Sequence, residues 1–318
     1  MKIFSKHAVR NLVIAAALAI VPAASYAAVI ISVGFAPPAL PVYTQPLCPG
    51  DGYLWTPGYW AYGPAGYYWV PGVWVRPPAI GLLWTPGYWG WGGSAFIWHE
   101  GYWGPHVGFY GGINYGFGYG GVGFFGGRWE GGHFAYNTAV VNVNRTVIHN
   151  TYVENVHVTN VGVHTSFNGG NGGINARPTA QEQNWSHEQH TAPTGEQFNH
   201  MQMASNNRAN FASANGGHPQ NLAMSRVGQR ANNQQQRIAQ GVRSGQMTAG
   251  ETRNVEGREA SINRQIANDR AANGGRLTQQ ERQQVNQRQN NVSRSVNQDK
   301  HNNATQPRSN ERGGGRNK

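Results

Sequence analysis

The chain has 318 residues, 44 of them glycine and 11 tryptophan, with a formal net charge of +11. One cysteine, Cys48, excludes an internal disulfide, so its thiol is free, modified or paired with another chain. The charge is local: residues 205–318 hold 18 Lys and Arg against 7 Asp and Glu, whereas 28–204 hold 4 against 7, which excludes a uniformly basic molecule.

In chain order, Lys2, Lys6 and Arg10 precede an apolar run over 12–21, and Ser25-Tyr-Ala27 places small residues three and one before a cut. This predicts a signal peptide over 1–27, cleaved after Ala27, and export to the periplasm, the outer-membrane surface or the medium. The apolar run is shorter than the roughly 20 residues of a spanning helix, and nothing later reads as a transmembrane segment. Residues 29–35 suit one strand, followed by a proline-punctuated lead-in in which Cys48 is read as a bystander.

Residues 55–134 write Trp-x-x-Gly-x-Trp five times: Trp55 to Trp60, Trp69 to Trp74, Trp84 to Trp89, Trp98 to Trp103, and a weaker copy from Trp129 to Phe134. The starts fall 14, 15, 14 and 31 residues apart, a repeat architecture. Pro57-Gly58 predicts a type II turn, with proline presetting one φ and glycine supplying a positive one. Trp55 then faces Trp60, and each copy is a β-hairpin. Exposed, Trp55, Trp60, Trp69, Trp74, Trp84, Trp89, Trp98, Trp103 and Trp129 offer ring-stacking surfaces to glycans; buried, they hold the sheet together. Alternation along a strand puts Tyr59 and Tyr88 on the face opposite the tryptophans.

With Tyr53 and Tyr67 two residues before the first Trp of the first two copies, residues 50–134 resemble the bacterial WXXGXW repeat proteins, also written YXWGXW. The resemblance implies an exported protein with a repeat fold, and implies no particular activity.

Residues 101–127 carry no charged side chain and twelve glycines among their aromatics, compatible with strand and loop or with a lipid-contacting or self-associating surface. Two Gly-x-Gly-x-x-Gly matches, from Gly116 and Gly118, lack the strand, helix and acidic partner of a dinucleotide site, so no cofactor is expected. Alternating valines over 140–163 predict strands that complete a β domain over 28–165. His149, His157, His164 and the pair His187 and His190 lack the convergent donors of a metal site, and none is expected.

The polar stretch 166–233 predicts a disordered linker. Two capping boxes, Thr248-x-x-Glu251 and Thr278-x-x-Glu281, then open segments with apolar stripes at Val255, Ile262 and Ile266 and at Val285, Val292 and Val296. They predict a basic helical hairpin over 234–301, with a shorter third helix at Ile238 and Val242, and a disordered basic tail over 302–318. Basic residues recur every six positions at Arg258, Arg264, Arg270, Arg276, Arg282, Arg288, Arg294 and Lys300, which spreads them over three helix faces. They read as a solvated surface or as contacts to anionic envelope polymers; nucleic acid is disfavoured because aromatics and arginines lie in different segments.

The expected fold is mainly β, an antiparallel meander of aromatic hairpin repeats, followed by a disordered linker and a small α-helical hairpin. The expected function is that of an exported, non-enzymatic structural or binding protein of the cell envelope. The rival is an outer-membrane-associated protein that touches lipid through 101–127. A secreted enzyme ranks third, since no nucleophile, base and orienter can be assembled, and Glu100 and Glu130 are the carboxylates to inspect.

Overall fold

The computed structural model describes residues 31–156, 164–224, 226–273, 277–302 and 304, all but the first within the unit Ser32–Lys318. The predicted signal peptide, His157, Arg276 and most of the basic tail lie outside the described residues.

The strand over 29–35 is present as β1 (Ser32–Val33). The tryptophan motifs form β2 (Leu54–Thr56), β3 (Tyr59–Gly63), β4 (Gly66–Val70) and β5 (Val73–Val75), then β6 (Leu83–Thr85), β7 (Tyr88–Trp91), β8 (Phe96–His99) and β9 (Tyr102–Gly104). Their pairing differs from the expected one. Trp55 lies opposite Trp74 and Trp60 opposite Trp69; Trp84 lies opposite Trp103 and Trp89 opposite Trp98. Two motifs therefore make one long hairpin, closed through Pro64-Ala65 in the first and Gly93-Ser94 in the second, and interrupted midway at the motif glycines.

The motif glycine explains this pairing. None of Gly58, Gly72, Gly87 and Gly101 has a positive φ, so the type II turn does not form. These positions instead admit an indole against the backbone. A Cβ on Gly58 would lie 2.3 Å from Trp69 Cζ2, on Gly72 2.4 Å from Trp55 Cζ2, on Gly87 2.5 Å from Trp98 Cζ2 and on Gly101 2.5 Å from Trp84 Cζ2. The first Trp of each motif covers the glycine of its partner motif, reciprocally. The motif is thus a close-packing rule, in which glycine permits backbone contact that no other residue allows.

The fifth copy does form the predicted local hairpin. β12 (Gly127–Glu130) and β13 (His133–Asn137) set Trp129 opposite Phe134. Here Gly131 and Gly132, at φ +54° and +83°, supply the two positive values that a tight two-residue turn needs. Between these hairpins lie β10 (Asn114–Gly116) and β11 (Tyr119–Gly120). Tyr119 Oη donates to Trp84 O at 3.0 Å and reaches Trp55 O at 3.3 Å, while Trp89 Nε1 donates to Trp60 O at 2.8 Å, so the two long hairpins are pinned to each other.

The valine-rich stretch falls short of the predicted strands: among its described residues only β14 (Thr151–Tyr152) is extended in a sheet, parallel to β13. Asn137 Oδ1 accepts from Ala139 N and Glu154 N, and Asn144 Oδ1 from Thr146 N, contacts that turn the chain locally in place of ladder pairing.

The stretch expected to be a disordered linker is folded over its described part. It holds β15 (Phe167–Asn168), parallel to β7, then α1 (Ala180–Trp185), α2 (Gly195–Ser205) and α3 (Ala212–Asn215). Thr179 with Glu182 and Thr194 with Gln197 are complete capping boxes. Ala204, Met201 and Phe211 pack on Ala61, Tyr68 and Val70. Its polar composition misled because these short helices use the β region, and not one another, as their apolar partner.

The downstream helices are α4 (Arg226–Arg243), α5 (Ala249–Ala272) and α6 (Gln279–His301), with both predicted capping boxes in place. The predicted stripes of Val255, Ile262 and Ile266 and of Val285, Val292 and Val296 meet Ile238 and Met247 in one core. A polar layer of Gln234, Glu259 and Gln289 is buried with it. Glu259 is 3% exposed, and burial pushes its carboxyl up to about 7, partly offset by Gln235 donating to Oε2. A carboxyl whose folded value lies above its unfolded value near 4.5 stabilises fully below pH 4.5 and loses that contribution as pH rises through 7. Helix stability should therefore fall by up to about 3 kcal/mol between pH 5 and 8. Glu259→Gln should flatten the profile; thermal unfolding followed at 222 nm checks this, and a flat wild-type profile would refute it.

Candidate functional site

Seven of the motif tryptophans, Trp55, Trp60, Trp69, Trp74, Trp84, Trp89 and Trp103, are buried, so they present no ring-stacking surface. Trp98 and Trp129 are half-buried. The four cross-strand Trp pairs hold ring centroids 5.3–5.4 Å apart; Trp55–Trp74 and Trp60–Trp69 are edge-to-face, the geometry that aromatic quadrupoles favour, and Trp84–Trp103 and Trp89–Trp98 are tilted. Four of their indole N–H groups donate to backbone or side-chain oxygens here: Trp60 to Ala39 O, Trp69 to Leu222 O, Trp74 to Pro46 O and Trp103 to Gln197 Oε1. These residues are the framework.

The site lies on the other side of the second hairpin, where the residue before each second Trp points. Tyr88 stacks on His99 at 4.5 Å and 8°, and Tyr102 stacks on His190 at 3.7 Å and 20°. With Glu100 and Glu182 they line a cleft of about 420 Å³. Tyr59, the equivalent residue of the first hairpin, stacks on Trp98 at 5.2 Å. Beside the cleft, His106 stacks on Trp185 at 4.7 Å and its Nδ1 lies 2.9 Å from Glu188 Oε1.

The electrostatics of the cleft are those of neutral hydrogen-bonding groups beside carboxylates. Burial raises the phenols of Tyr88 and Tyr102 above their ordinary value and lowers His99 below its own. Both phenols and that imidazole are therefore uncharged near neutral pH. Glu182 is 2% exposed: its Oε2 accepts from Thr179 N at 2.8 Å and Thr179 Oγ1 at 2.9 Å, while Oε1 has no hydrogen-bond partner among the described residues. Rings flanked by carboxylates and carboxamides suit a hydroxylated ligand: ring faces take C–H groups and carboxylates accept from hydroxyls.

Sequence reasoning singled out Glu100 as a carboxylate to inspect and set His190 aside as a metal ligand; the cleft itself was hidden because His190 and Glu182 arrive from the stretch read as linker. Glu130 is not in this cleft; it accepts from Arg128 Nε at 2.6 Å on an exposed edge. Among the described residues no three His, Cys, Asp or Glu side chains are grouped to hold a metal ion. Cys48 is buried, with Sγ 3.2 Å from Gly50 O, which removes it from any surface available for bridging.

The basic series is divided. Arg258 donates to Ser295 Oγ at 3.0 Å, Arg288 to Ser261 Oγ at 2.8 Å and Lys300 to Gln240 Oε1 at 3.1 Å, tying the helices together. Arg282 donates to Leu277 O and Arg294 to Asn291 Oδ1 within α6 and its approach. Arg264 is exposed and Arg270 half-buried.

In 101–127, Val107, Tyr110, Ile113, Tyr115 and Tyr119 are buried, while Val122 and Phe125 are exposed. Most of this stretch faces the protein interior. No described helix is long and apolar enough to cross a membrane.

Comparison with known families and proteins agrees with the hairpin geometry. A family model described as the WXXGXW repeat matches residues 50–75 and 82–103. No curated protein and no solved structure gives a match. Each matched stretch coincides with one long hairpin and its four paired tryptophans, so the chain carries the WXXGXW repeat in two copies, with two motifs to each copy.

Proposed function

We propose that this is an exported, non-enzymatic structural and binding protein of the bacterial cell envelope. In this reading the tryptophan repeat is an internal framework, and the Tyr88, Tyr102, His99 and His190 cleft holds a neutral sugar unit of an envelope glycan. The observation that carries it is the division of labour in the repeat: most of the motif tryptophans are inside, and the intervening tyrosines of the second hairpin stack with histidines at a cleft that also holds Glu100 and Glu182. Of the nine Phe, Trp and Tyr rings in 101–127 only Phe125 is exposed, which weighs against the rival lipid-contacting reading.

Export is tested by mass spectrometry of the native N-terminus: a mature chain beginning at Ala28 in an envelope fraction supports it, and an intact Met1 in the cytoplasm overturns it. Binding is tested with chito- and malto-oligosaccharides by calorimetry. Tyr102→Ala removes one stacking face, a change of about 0.5–1.5 kcal/mol, so affinity should fall severalfold with folding intact. Unchanged affinity in Tyr102→Ala and His190→Ala, or no binding by the wild type, would remove the cleft from the proposal.

A further inference from the structure

A second cleft, of about 570 Å³, lies where the β region meets α4 and α6, and its lining includes Tyr53, Arg76, Arg230, Asn233 and Asn286. Arg76 places its guanidinium carbon 4.7 Å from the centre of the Tyr53 ring. Arg230 donates to Asn286 Oδ1 at 3.3 Å and to Asn290 Oδ1. Asn233 Nδ2 donates to Tyr53 Oη at 3.4 Å. Among the described residues no carboxylate lines this cleft; the adjacent Asp51 lines the neighbouring one, which Arg76 also borders.

We infer that this cleft binds an oxyanion-bearing sugar unit, with Arg76 and Arg230 as its charge partners. Two guanidinium groups share one concave lining, an arrangement that raises the local attraction for an anion. The neutral groups are arranged as donors too. Tyr53 Oη accepts from Asn233, which leaves its own proton to give, and Asn286 Oδ1 is taken by Arg230, which leaves its amide N–H groups. Guanidinium forks match planar or tetrahedral oxyanions in bidentate fashion. The volume falls in the range of sites that hold a ligand of sugar size or larger, so the cleft has room for the ring as well as its charged group. The inference rests on the envelope-binding reading and moves its anionic contact from the helical basic series, partly engaged within the bundle, to a defined cleft.

The experiment uses the full mature chain and three probes of matched length: polygalacturonate, dextran sulfate and uncharged dextran. Wild type should bind one or both acidic polymers, with affinity falling as salt rises, and not the dextran. Binding of polygalacturonate alone identifies a carboxylate site, and of dextran sulfate alone a tetrahedral-oxyanion site. R76Q/R230Q should lose at least tenfold, and R76K, which keeps the charge but not the fork, should lose less. R264Q/R294Q, altering two basic residues outside the cleft, should bind within twofold of wild type. The inference is overturned if neither acidic polymer binds, if R76Q/R230Q binds as wild type while remaining folded by near-ultraviolet circular dichroism, or if R264Q/R294Q loses as much. Should R76Q/R230Q fail to fold, R76K decides: affinity equal to wild type overturns the guanidinium role. Neutral oligosaccharide binding in the Tyr102→Ala chain reports on the other cleft, so either site can fail alone.

Discussion

Trp60→Ala should lower the unfolding free energy of the β region by about 3–5 kcal/mol, the range for truncating a fully buried aromatic. Trp60 is 1% exposed, pairs edge-to-face with Trp69, donates to Ala39 O and offers its own carbonyl to Trp89 Nε1. Its loss opens a cavity beside Trp69 in the first long hairpin. Trp98→Ala, at a half-buried ring, should lose clearly less. Denaturant unfolding followed by tryptophan fluorescence measures both, and a loss under 1 kcal/mol at Trp60 would contradict the framework role.

Gly58→Ala should be nearly as damaging for the opposite reason. The new methyl would sit 2.3 Å from Trp69 Cζ2 and 3.0 Å from Gly72 N, so either the indole or the partner strand must move. Overpacking of this kind costs typically 1–3 kcal/mol and occasionally more; a clash with backbone as well as ring puts Gly58→Ala near the top, at about 3 kcal/mol. Gly131→Ala is the informative contrast. It has nothing within 4 Å but a φ of +54°, so only the left-handed backbone cost of about 1 kcal/mol applies. Shortening the ring with Trp69→Phe should relieve part of the Gly58→Ala clash, giving a double mutant less unstable than the sum of its parts. Strict additivity would rule out direct contact as the origin of the motif glycine.

Much of this was legible from residues alone, and the failures have physical causes. Trp at fixed offsets showed a β repeat, and the two downstream capping boxes with their valine and isoleucine stripes gave the helices that pack together. The pairing partner was not legible, because Trp-Thr-Pro-Gly-Tyr-Trp reads equally as a local turn or as half of a longer ladder. Glycine caused the error: it serves positive φ and close approach alike, and Gly58 uses only the second. Thr179-x-x-Glu182 and Thr194-x-x-Gln197 carried the same capping signal as the downstream helices, but the surrounding Asn, Gln and Ser obscured it. The Tyr/His cleft depended on that same stretch, so it could not be assembled before His190 was placed.

The indole of Trp69 finds its acceptor 153 residues later, at Leu222, and Gly72 exchanges backbone hydrogen bonds with Leu222 and Met224. The hairpins themselves close within a few tens of residues and can form early, whereas these contacts wait for a chain nearly three times as long. During synthesis, the β region would thus persist as an unfinished intermediate until residue 224 is available. A fragment ended at 165, where composition suggests a boundary, would keep that intermediate permanently: the strands would pair, yet Trp69, Trp103 and the Pro71 carbonyl that His200 holds would each lack a partner.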